Sequence, residues 1–216
     1  MSAAKTKTDP KELTRHLLKV AGTTYARDAG IAVKDTPQPL FQLLVLSMLA
    51  SKPISAQIAV SAARELFAAG WRSPDAVLEA NRGDVIKAFG RAHYVRYDES
   101  SATRLVSIAE HVKHKYGGDL RRLADLSGRR VAPARRLLKE FNGIGDTGAD
   151  IFLREVQDVW PWVRPYFDDR ARKAAGELGL PADPEKLASL APRSCAQFAA
   201  ALIKVSLDES LAKSLS

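Results

Sequence analysis

The sequence predicts an all-α protein built from many short helices and short loops. Apolar residues recur at helical spacing in most segments, as at Ala102, Leu105, Ile108 and Val112. Serine, aspartate or asparagine, in several places followed by proline, stands before many of these segments as a helix-start signal. No segment shows a convincing β-hairpin signal, and no repeat with a period of about 20 to 50 residues is present. The predicted fold class is therefore all-α.

Each helix is predicted from the signals at its ends. Asp9-Pro10 is a cap followed by proline, and the helix it opens is expected to run to about Arg27. The stretch Leu40 to Ala50 is apolar on nearly all sides and predicts a central, buried helix that Lys52-Pro53 ends. The remaining predicted helices are Ser55–Ala69, a short one from Ser73-Pro74, Asn81–Phe89, Ser100–Tyr116, a turn or helix over Asp119–Leu126, Val131–Phe141, Asp146–Val156, Asp168–Leu178, and two that begin at Asp183-Pro184 and Arg193-Ser194.

The composition is that of a globular protein and excludes several classes. Of the 216 residues, 46% are hydrophobic and 27% are charged, which excludes general disorder. The apolar stretch Leu40 to Ala50 is much shorter than the roughly 20 residues that span a bilayer, so no membrane partner is expected. The polar start, Met1 to Lys5, lacks the apolar core of a secretory signal, and a cytoplasmic location is expected.

Cysteine and histidine usage predicts no metal site or cluster. The single cysteine, Cys195, excludes an internal disulfide and a four-cysteine zinc or iron–sulfur site within this chain. Its apolar helical neighbours predict that it is buried. None of the histidines has the spacing with acids or cysteine that would specify a metal: these are His16, His93, His111 and His114.

The positive charge is concentrated in one segment. The formal net charge is +8, and residues Lys113 to Lys139 hold nine basic residues against two acidic ones, which is a local charge of +7. A basic region on a near-neutral body is what binding to a phosphate backbone requires. A solvated helical face has the same composition, so charge alone leaves both interpretations open.

A two-glycine hairpin follows this basic segment. Gly143-Ile144-Gly145 separates two predicted helices, and the glycines allow a tight turn and close approach to another surface. The first amides of the second helix carry the positive end of its dipole, which suits a phosphate oxygen. A monovalent cation held by hairpin carbonyls is a second way to bridge to phosphate. Asp146 argues against direct binding of phosphate by these amides, because its carboxylate could cap them.

The hairpin and the segment after it resemble the helix-hairpin-helix, Gly/Pro-rich loop and Asp (HhH-GPD) superfamily of DNA glycosylases, to which endonuclease III belongs. Phe141 to Gly145 matches the superfamily's hairpin, with asparagine in place of proline. Val163 to Asp168 matches the loop and its catalytic aspartate, and the spacing to Leu178-Gly179 also fits. Phe41 to Ser51 resembles the buried first helix of the family's barrel.

The resemblance covers roughly residues 40–181 and implies a two-lobed helix-hairpin-helix glycosylase fold. A six-helix barrel over residues 37–155 would carry the hairpin, and a second helical lobe from the two termini, residues 1–36 and 156–216, would carry the catalytic aspartate. The implied enzyme is a DNA repair glycosylase that flips a damaged or mismatched base out of double-stranded DNA and hydrolyses its N-glycosidic bond. Members of the family act as monomers, so a monomer is expected.

Asp168 is the catalytic residue that the resemblance implies. Breaking the base–sugar bond develops positive charge on the sugar, which a nearby carboxylate stabilises while it orients or deprotonates water. Aspartate at a helix start is also a favoured N-cap, and Asp169 is either the true cap or a partner of Arg170 or Arg172. Expected DNA contacts come from the hairpin, the helix before it and two other loops: Gly143, Ile144, Gly145, Thr147, Lys139, Arg135, Arg136, Lys52, Arg91 and Tyr94.

Three departures from the family pattern qualify this prediction. Thr147 occupies the position where bifunctional members carry the lysine that attacks the sugar, so the imine route of strand cleavage is not expected from that residue. The cysteine count excludes the iron–sulfur cluster of many members, and no cofactor is expected. Lys52 stands where a glutamine often fills the gap left by the flipped base.

Alternative functions follow from the same features. A non-catalytic DNA-binding protein could keep the fold without the enzyme, and a lyase could use another amine, such as Lys52 or the N-terminus. A helical adaptor for other proteins would show no salt-dependent affinity for DNA.

The aromatic residues before Asp168 could stack on a flipped base or belong to the core: these are Trp160, Trp162, Tyr166 and Phe167.

Overall fold

A computed structural model describes residues 9–214 and confirms the all-α class. Every regular element in this range is helical, and none is a strand. In chain order the elements are α1 (Pro10–Ala21), α2 (Tyr25–Asp28), α3 (Pro37–Ala50), α4 (Ala56–Ala68), α5 (Pro74–Leu78), α6 (Arg82–Arg91), α7 (Asp98–Tyr116), α8 (Arg122–Leu126), α9 (Val131–Leu138), α10 (Asp146–Val156), a 3₁₀ turn (Pro161–Val163), α11 (Asp169–Glu177), α12 (Pro184–Leu190), α13 (Cys195–Leu207) and α14 (Glu209–Ser214). The start of the chain lies outside the described residues. Two predictions depend on it: the absence of a secretory signal and the use of the N-terminal amine by a lyase.

The first helix is shorter than predicted. It begins at Pro10 with Asp9 as its N-cap, but it ends at Ala21, and a separate short helix starts at Tyr25. The stop is at Gly22, where an added Cβ would lie 2.3 Å from the Leu18 carbonyl oxygen. This position therefore requires glycine, although its φ of −76° is ordinary.

Helix α3 is the centre of the larger compact unit, residues 25–163. All residues from Leu40 to Leu49 are buried, as their apolar character on nearly all sides predicts. The helix packs against α4, α7 and α10. Its buried Ser47 hydroxyl donates to the Leu43 carbonyl at 2.8 Å, so the polar group is satisfied within the helix.

Two polar contacts attach the segments around positions 25–36 and 156–163 to this unit. The buried Glu155 carboxylate accepts hydrogen bonds from the amides of Tyr25 at 3.1 Å and Ala26 at 2.9 Å, at the start of α2. The Trp160 indole donates to Asp35 at 2.8 Å. The unit therefore runs from residue 25 to residue 163 and extends at both ends beyond the barrel predicted over residues 37–155. The difference arises because these long-range partners cannot be read from local patterns.

The second compact unit combines the two ends of the chain, residues 1–24 and 164–216, of which the structure describes 9–24 and 164–214. Helix α13 packs against α1 and α11. Phe167 and Phe198 meet edge to face with ring centroids 5.8 Å apart. Cys195 is buried, as predicted, and the Arg164 Nε–H donates to its sulfur at 3.1 Å. Within residues 9–214, none of the helices has the length and apolarity needed to cross a bilayer.

Candidate functional site

The hairpin between α9 and α10 is held by buried apolar residues. Phe141 and Ile144 are 1% and 4% exposed, and the Ile144 amide donates to the Phe141 carbonyl at 3.0 Å. Gly143 has a φ of +88°, a left-handed conformation that favours glycine. An added Cβ at Gly148 would lie 3.3 Å from Ile144 Cγ2, so α10 packs closely on the hairpin. The Ile144 side chain is therefore buried, and only its backbone can face a ligand.

The start of α10 is open to solvent. Gly145, Asp146 and Thr147 are exposed, and no side chain caps the helix. The first amides of this helix of 11 residues therefore keep their donor capacity and the positive end of the dipole. This arrangement can accept an anion such as a phosphate oxygen.

Asp146 does not block these amides. Its Oδ1 accepts from Lys139 Nζ at 2.7 Å and lies 2.8 Å from an Arg135 Nη. The hydrogen bond from Lys139, together with the charge of Arg135, lowers the pKa of Asp146 below its ordinary value. The carboxylate thus forms ion pairs with the helix before the hairpin, and the capping that the sequence allowed is absent among the described hydrogen bonds.

Helix α9 and its C-cap residue, Lys139, present three of the expected DNA contacts. Arg135 and Lys139 form the ion pairs with Asp146, and Arg135 also contacts Asp150 at 2.9 Å. Arg136 is exposed and forms no ion pair with any described residue. Arg136 is thus the cation of this helix that is available to an external phosphate without breaking an internal pair.

Two further cations lie beside the hairpin. The Arg104 side chain crosses Gly143, since an added Cβ there would lie 2.6 Å from Arg104 Cδ. Burial first, and the charge of Arg104 second, lower the pKa of Lys52 below its ordinary value. Ser51, next to Lys52, donates a 3.5 Å hydrogen bond to the Gly143 carbonyl. Neither Lys52 nor Arg104 forms an ion pair with a described carboxylate.

Arg104 was missed by sequence reasoning. It lies in the middle of α7, distant in sequence from the hairpin, and its own segment contains acids as well as bases. The helical spacing places it on the partly exposed side of α7, but nothing in the sequence pairs that side with Gly143.

The basic segment 113–139 is less free than its composition suggests. Six of its nine cations pair with carboxylates. These carboxylates include Asp119 and Asp125 within the segment and Glu140 and Asp146 close to the hairpin. The paired cations are Lys113, Lys115, Arg121, Arg129, Arg135 and Lys139. Arg122, Arg130 and Arg136 have no ion pair among the described residues. Most cations behind the local charge of +7 are therefore engaged in ion pairs within the protein. A smaller set is left that could pair with an external anion.

Two other expected contacts fall in different surroundings. Arg91 is exposed at the end of α6 and pairs with Glu65 at 2.6 Å. Tyr94 is 2% exposed, packs against Phe89 with its ring tilted, and shares a hydrogen bond with Ser101 at 3.0 Å. Burial raises the pKa of Tyr94. The Tyr94 ring therefore belongs to the core, and this structure does not expose it for the expected contact with DNA.

Asp168 lies in the other unit, at the start of α11. It is the N-cap residue, and its Oδ1 accepts from the Ala171 amide at 3.0 Å. The side chain is partly exposed. Asp169 is fully exposed and contacts Arg172 at 3.4 Å. The structure thus distinguishes the two neighbouring acids: Asp168 caps the helix, and Asp169 forms a surface ion pair.

The aromatic residues before Asp168 divide between core and surface. Trp160 and Phe167 are buried, while Trp162 is half-buried and stacks on Trp160 with centroids 5.1 Å apart. Each unit therefore uses an aromatic residue of this segment in its core. Among residues 9–214, no group of three or more histidine, cysteine or acidic side chains is arranged to hold a metal.

Two solved structures share this fold. One is a trapped covalent intermediate of endonuclease III with DNA, an estranged-adenine complex, with a TM-score of 0.52 and 16% identity over 94% of this chain and 86% of that chain. The other is 3-methyladenine DNA glycosylase from H. pylori bound to 1,N6-ethenoadenine, with a TM-score of 0.55 and 13% identity over 95% of this chain and 98% of that chain. The predicted helix-hairpin-helix glycosylase fold is therefore confirmed. No protein-family model matches the chain, and no curated protein matches it.

Proposed function

We propose that this protein is a DNA repair glycosylase that binds damaged or mismatched double-stranded DNA as a monomer and hydrolyses the bond between base and sugar. The observation that carries the proposal is the open start of α10, where Gly145 to Thr147 are exposed and Asp146 is held by Lys139 and Arg135. The fold shared with two structures whose names include endonuclease III and a DNA glycosylase supports the same function.

Binding begins at the hairpin. A phosphate oxygen of one strand accepts from the first amides of α10, and Arg136 neutralises the same backbone. Lys52 and Arg104, which have no described carboxylate partner, add positive charge beside Gly143. These contacts read no sequence, so they position the duplex without selecting a base. In this proposal, a monovalent cation held by the hairpin carbonyls also bridges to the phosphate.

In this proposal, Asp168 is the residue that assists the cleavage of the base–sugar bond. As the glycosidic C1′–N bond lengthens, its electron pair leaves with the base and positive charge develops on the sugar. The ionised carboxylate stabilises that charge and accepts a proton from the water whose oxygen bonds to C1′. Water is the nucleophile, since Thr147 offers a hydroxyl where an imine needs an amine. The reaction is a hydrolysis and requires no redox cofactor.

A panel of duplexes tests the function. Each duplex carries one uracil, alkylated, oxidised or mismatched base, and base release is measured by alkaline cleavage of the abasic product. Release from any duplex by the natural chain, and loss of that release in Asp168→Asn, is the expected result. Binding without release from any substrate would favour the non-catalytic DNA-binding alternative.

Lys52 supports a second candidate function, strand cleavage through an amine. Lys52 follows Ser51, which bonds to the Gly143 carbonyl, and its lowered pKa leaves more of the amine uncharged. The amine would attack the open-chain aldehyde of an abasic site, lose water to form an imine, and release the 3′ phosphate by β-elimination. Borohydride trapping on a preformed abasic duplex tests this route. A covalent adduct that persists in Lys52→Ala would contradict a role for Lys52.

A further inference from the structure

A second surface feature lies in the 25–163 unit, at the N-terminal end of α3. It is an open groove of about 920 Å³ between the loop that precedes α3 and the last turns of α4. Its walls include apolar atoms of Pro37, Pro39, Phe67 and Ala68. None of the residues assigned above to DNA or to catalysis lines this groove.

The charge of the groove is one-sided. Lys34, Arg64 and Arg72 line it, no acidic residue does, and none of the three pairs with a carboxylate among the described residues. Two acids that neighbour lining residues in the sequence are engaged elsewhere, since Asp35 accepts from Trp160 and Glu65 pairs with Arg91. The groove therefore offers three cations without an internal counter-charge, which favours a negatively charged occupant.

Gln42 adds a second, independent observation. It lines the groove, is only 9% exposed, and forms no hydrogen bond with any described residue. Because its amide nitrogen and oxygen reach the solvent in the groove, they are available to a ligand there. A carboxamide offers both a donor and an acceptor, as a peptide backbone does.

The groove and the hairpin lie at opposite ends of α3. The groove includes Pro37 and Pro39 at its start, whereas Ser51, which follows its last residue, donates to the Gly143 carbonyl. A helix of 14 residues is about 20 Å long. The groove and the hairpin are therefore separate surfaces of this unit.

We propose that this groove binds a short, extended acidic peptide segment of a partner protein. Carboxylates of the segment pair with Lys34, Arg64 and Arg72, its backbone bonds to the Gln42 amide, and an apolar side chain packs on the wall at Pro37. A nucleic-acid strand fits less well, because Phe67 is the aromatic lining residue and is only 5% exposed, so bases find no open ring to stack on. The proposal does not depend on the glycosylase activity.

Fluorescence anisotropy with the full chain tests the proposal. The probe is a short labelled peptide in which aspartate alternates with leucine, at low salt and in the presence or absence of saturating undamaged duplex. We expect saturable binding that the duplex does not displace. The double variant Lys34→Glu with Arg64→Glu should weaken it by about tenfold or more, and Gln42→Leu should weaken it without changing the charge.

The matched control is Arg15→Glu with Lys19→Glu on α1, which changes the net charge equally at exposed positions of the other unit and should leave peptide affinity unchanged. Circular dichroism verifies that each variant is folded. Three results would overturn the proposal: no saturable peptide binding, equal loss of affinity in the control, or displacement of the peptide by duplex or single-stranded DNA. None of these readouts involves base release, so failure here leaves the proposed function untouched.

Discussion

At the scale of single residues, the two hairpin glycines have different requirements although the sequence presents them alike. Gly143 has a positive φ and lies against Arg104 and Met48, whereas Gly145 has a φ of −99° and no atom within 4 Å of an added Cβ. Gly143 is thus needed for the fold, and the open space at Gly145 suits the approach of a ligand.

Replacing each glycine by alanine should separate these roles. Gly143→Ala should lower the free energy of unfolding by about 1 to 3 kcal/mol, because of backbone strain and the contact with Arg104. Gly145→Ala should cost less than about 1 kcal/mol but weaken binding to an undamaged duplex severalfold. Urea unfolding and anisotropy measure the two quantities. Equal losses of stability in the two variants would contradict this division.

Other single residues show where sequence reasoning succeeds and where it stops. Asp168 could be predicted as a helix cap because Asp, a helical segment and a terminal glycine are local signals. The burial of Tyr94 could not, because it depends on Phe89 and Ser101 closing around the ring. Arg104 was not predicted as a neighbour of Gly143 because their contact joins residues far apart in the chain.

At the scale of elements, α9 and α10 are linked across the hairpin by the ion pairs of Asp146. Removing its charge should release Lys139 and reduce repulsion of a phosphate at the amides of α10. We therefore expect Asp146→Asn to bind undamaged duplex severalfold more tightly, with a steeper dependence on salt. Asp84→Asn on α6, which removes the same charge from the pair with Lys87, is the control. Binding by Asp146→Asn that is no tighter than binding by the control would contradict the prediction.

Helix α7 contacts the hairpin through a titratable ring. His111 packs on Phe141 with centroids 4.5 Å apart and on Tyr116, with Glu140 and Lys115 facing it. Burial, and to a smaller extent the charge of Lys115, lower the pKa of His111 below its ordinary value of about 6.5. The neutral ring is therefore the form that the folded state favours.

The sign of the pH dependence follows from this lowered pKa. The unfolded state binds the proton more readily, so stability from His111 is present above about pH 6.5 and is lost as the pH falls below that value. Urea unfolding at several pH values should show a smaller loss on acidification in His111→Gln than in the natural chain. His114→Gln, at an exposed position of the same helix, is the control and should behave like the natural chain. Identical curves for His111→Gln and the natural chain would contradict the assignment.

Elements with strong local signals were predicted best. The buried helix α3 and the bounds of α10 follow from apolar character and from the glycine turn. The early end of α1 and the separate helix α2 were missed, because they depend on the close approach at Gly22 and on Glu155, more than a hundred residues away.

At the scale of the whole molecule, charge composition overstated the size of the basic surface. The excess of positive charge lies in segment 113–139, but most cations of this segment pair with nearby carboxylates. The cations without an ion pair among the described residues form a smaller set, which includes Arg136, Lys52 and Arg104. The all-α class and the shared fold could be predicted, whereas the groove at Gln42 could not, because it requires several loops to be assembled.

Single-turnover base release by Asp168→Asn, on whichever duplex the natural chain cleaves, tests the central claim most directly. Asparagine is as good an N-cap as aspartate, so α11 should stay folded while the charge is lost. The account predicts a fall in release rate of about 100-fold or more, with duplex affinity nearly unchanged. Asp169→Asn, at the exposed neighbour, should retain the natural rate. An unchanged rate in Asp168→Asn would contradict the assignment of this carboxylate to catalysis.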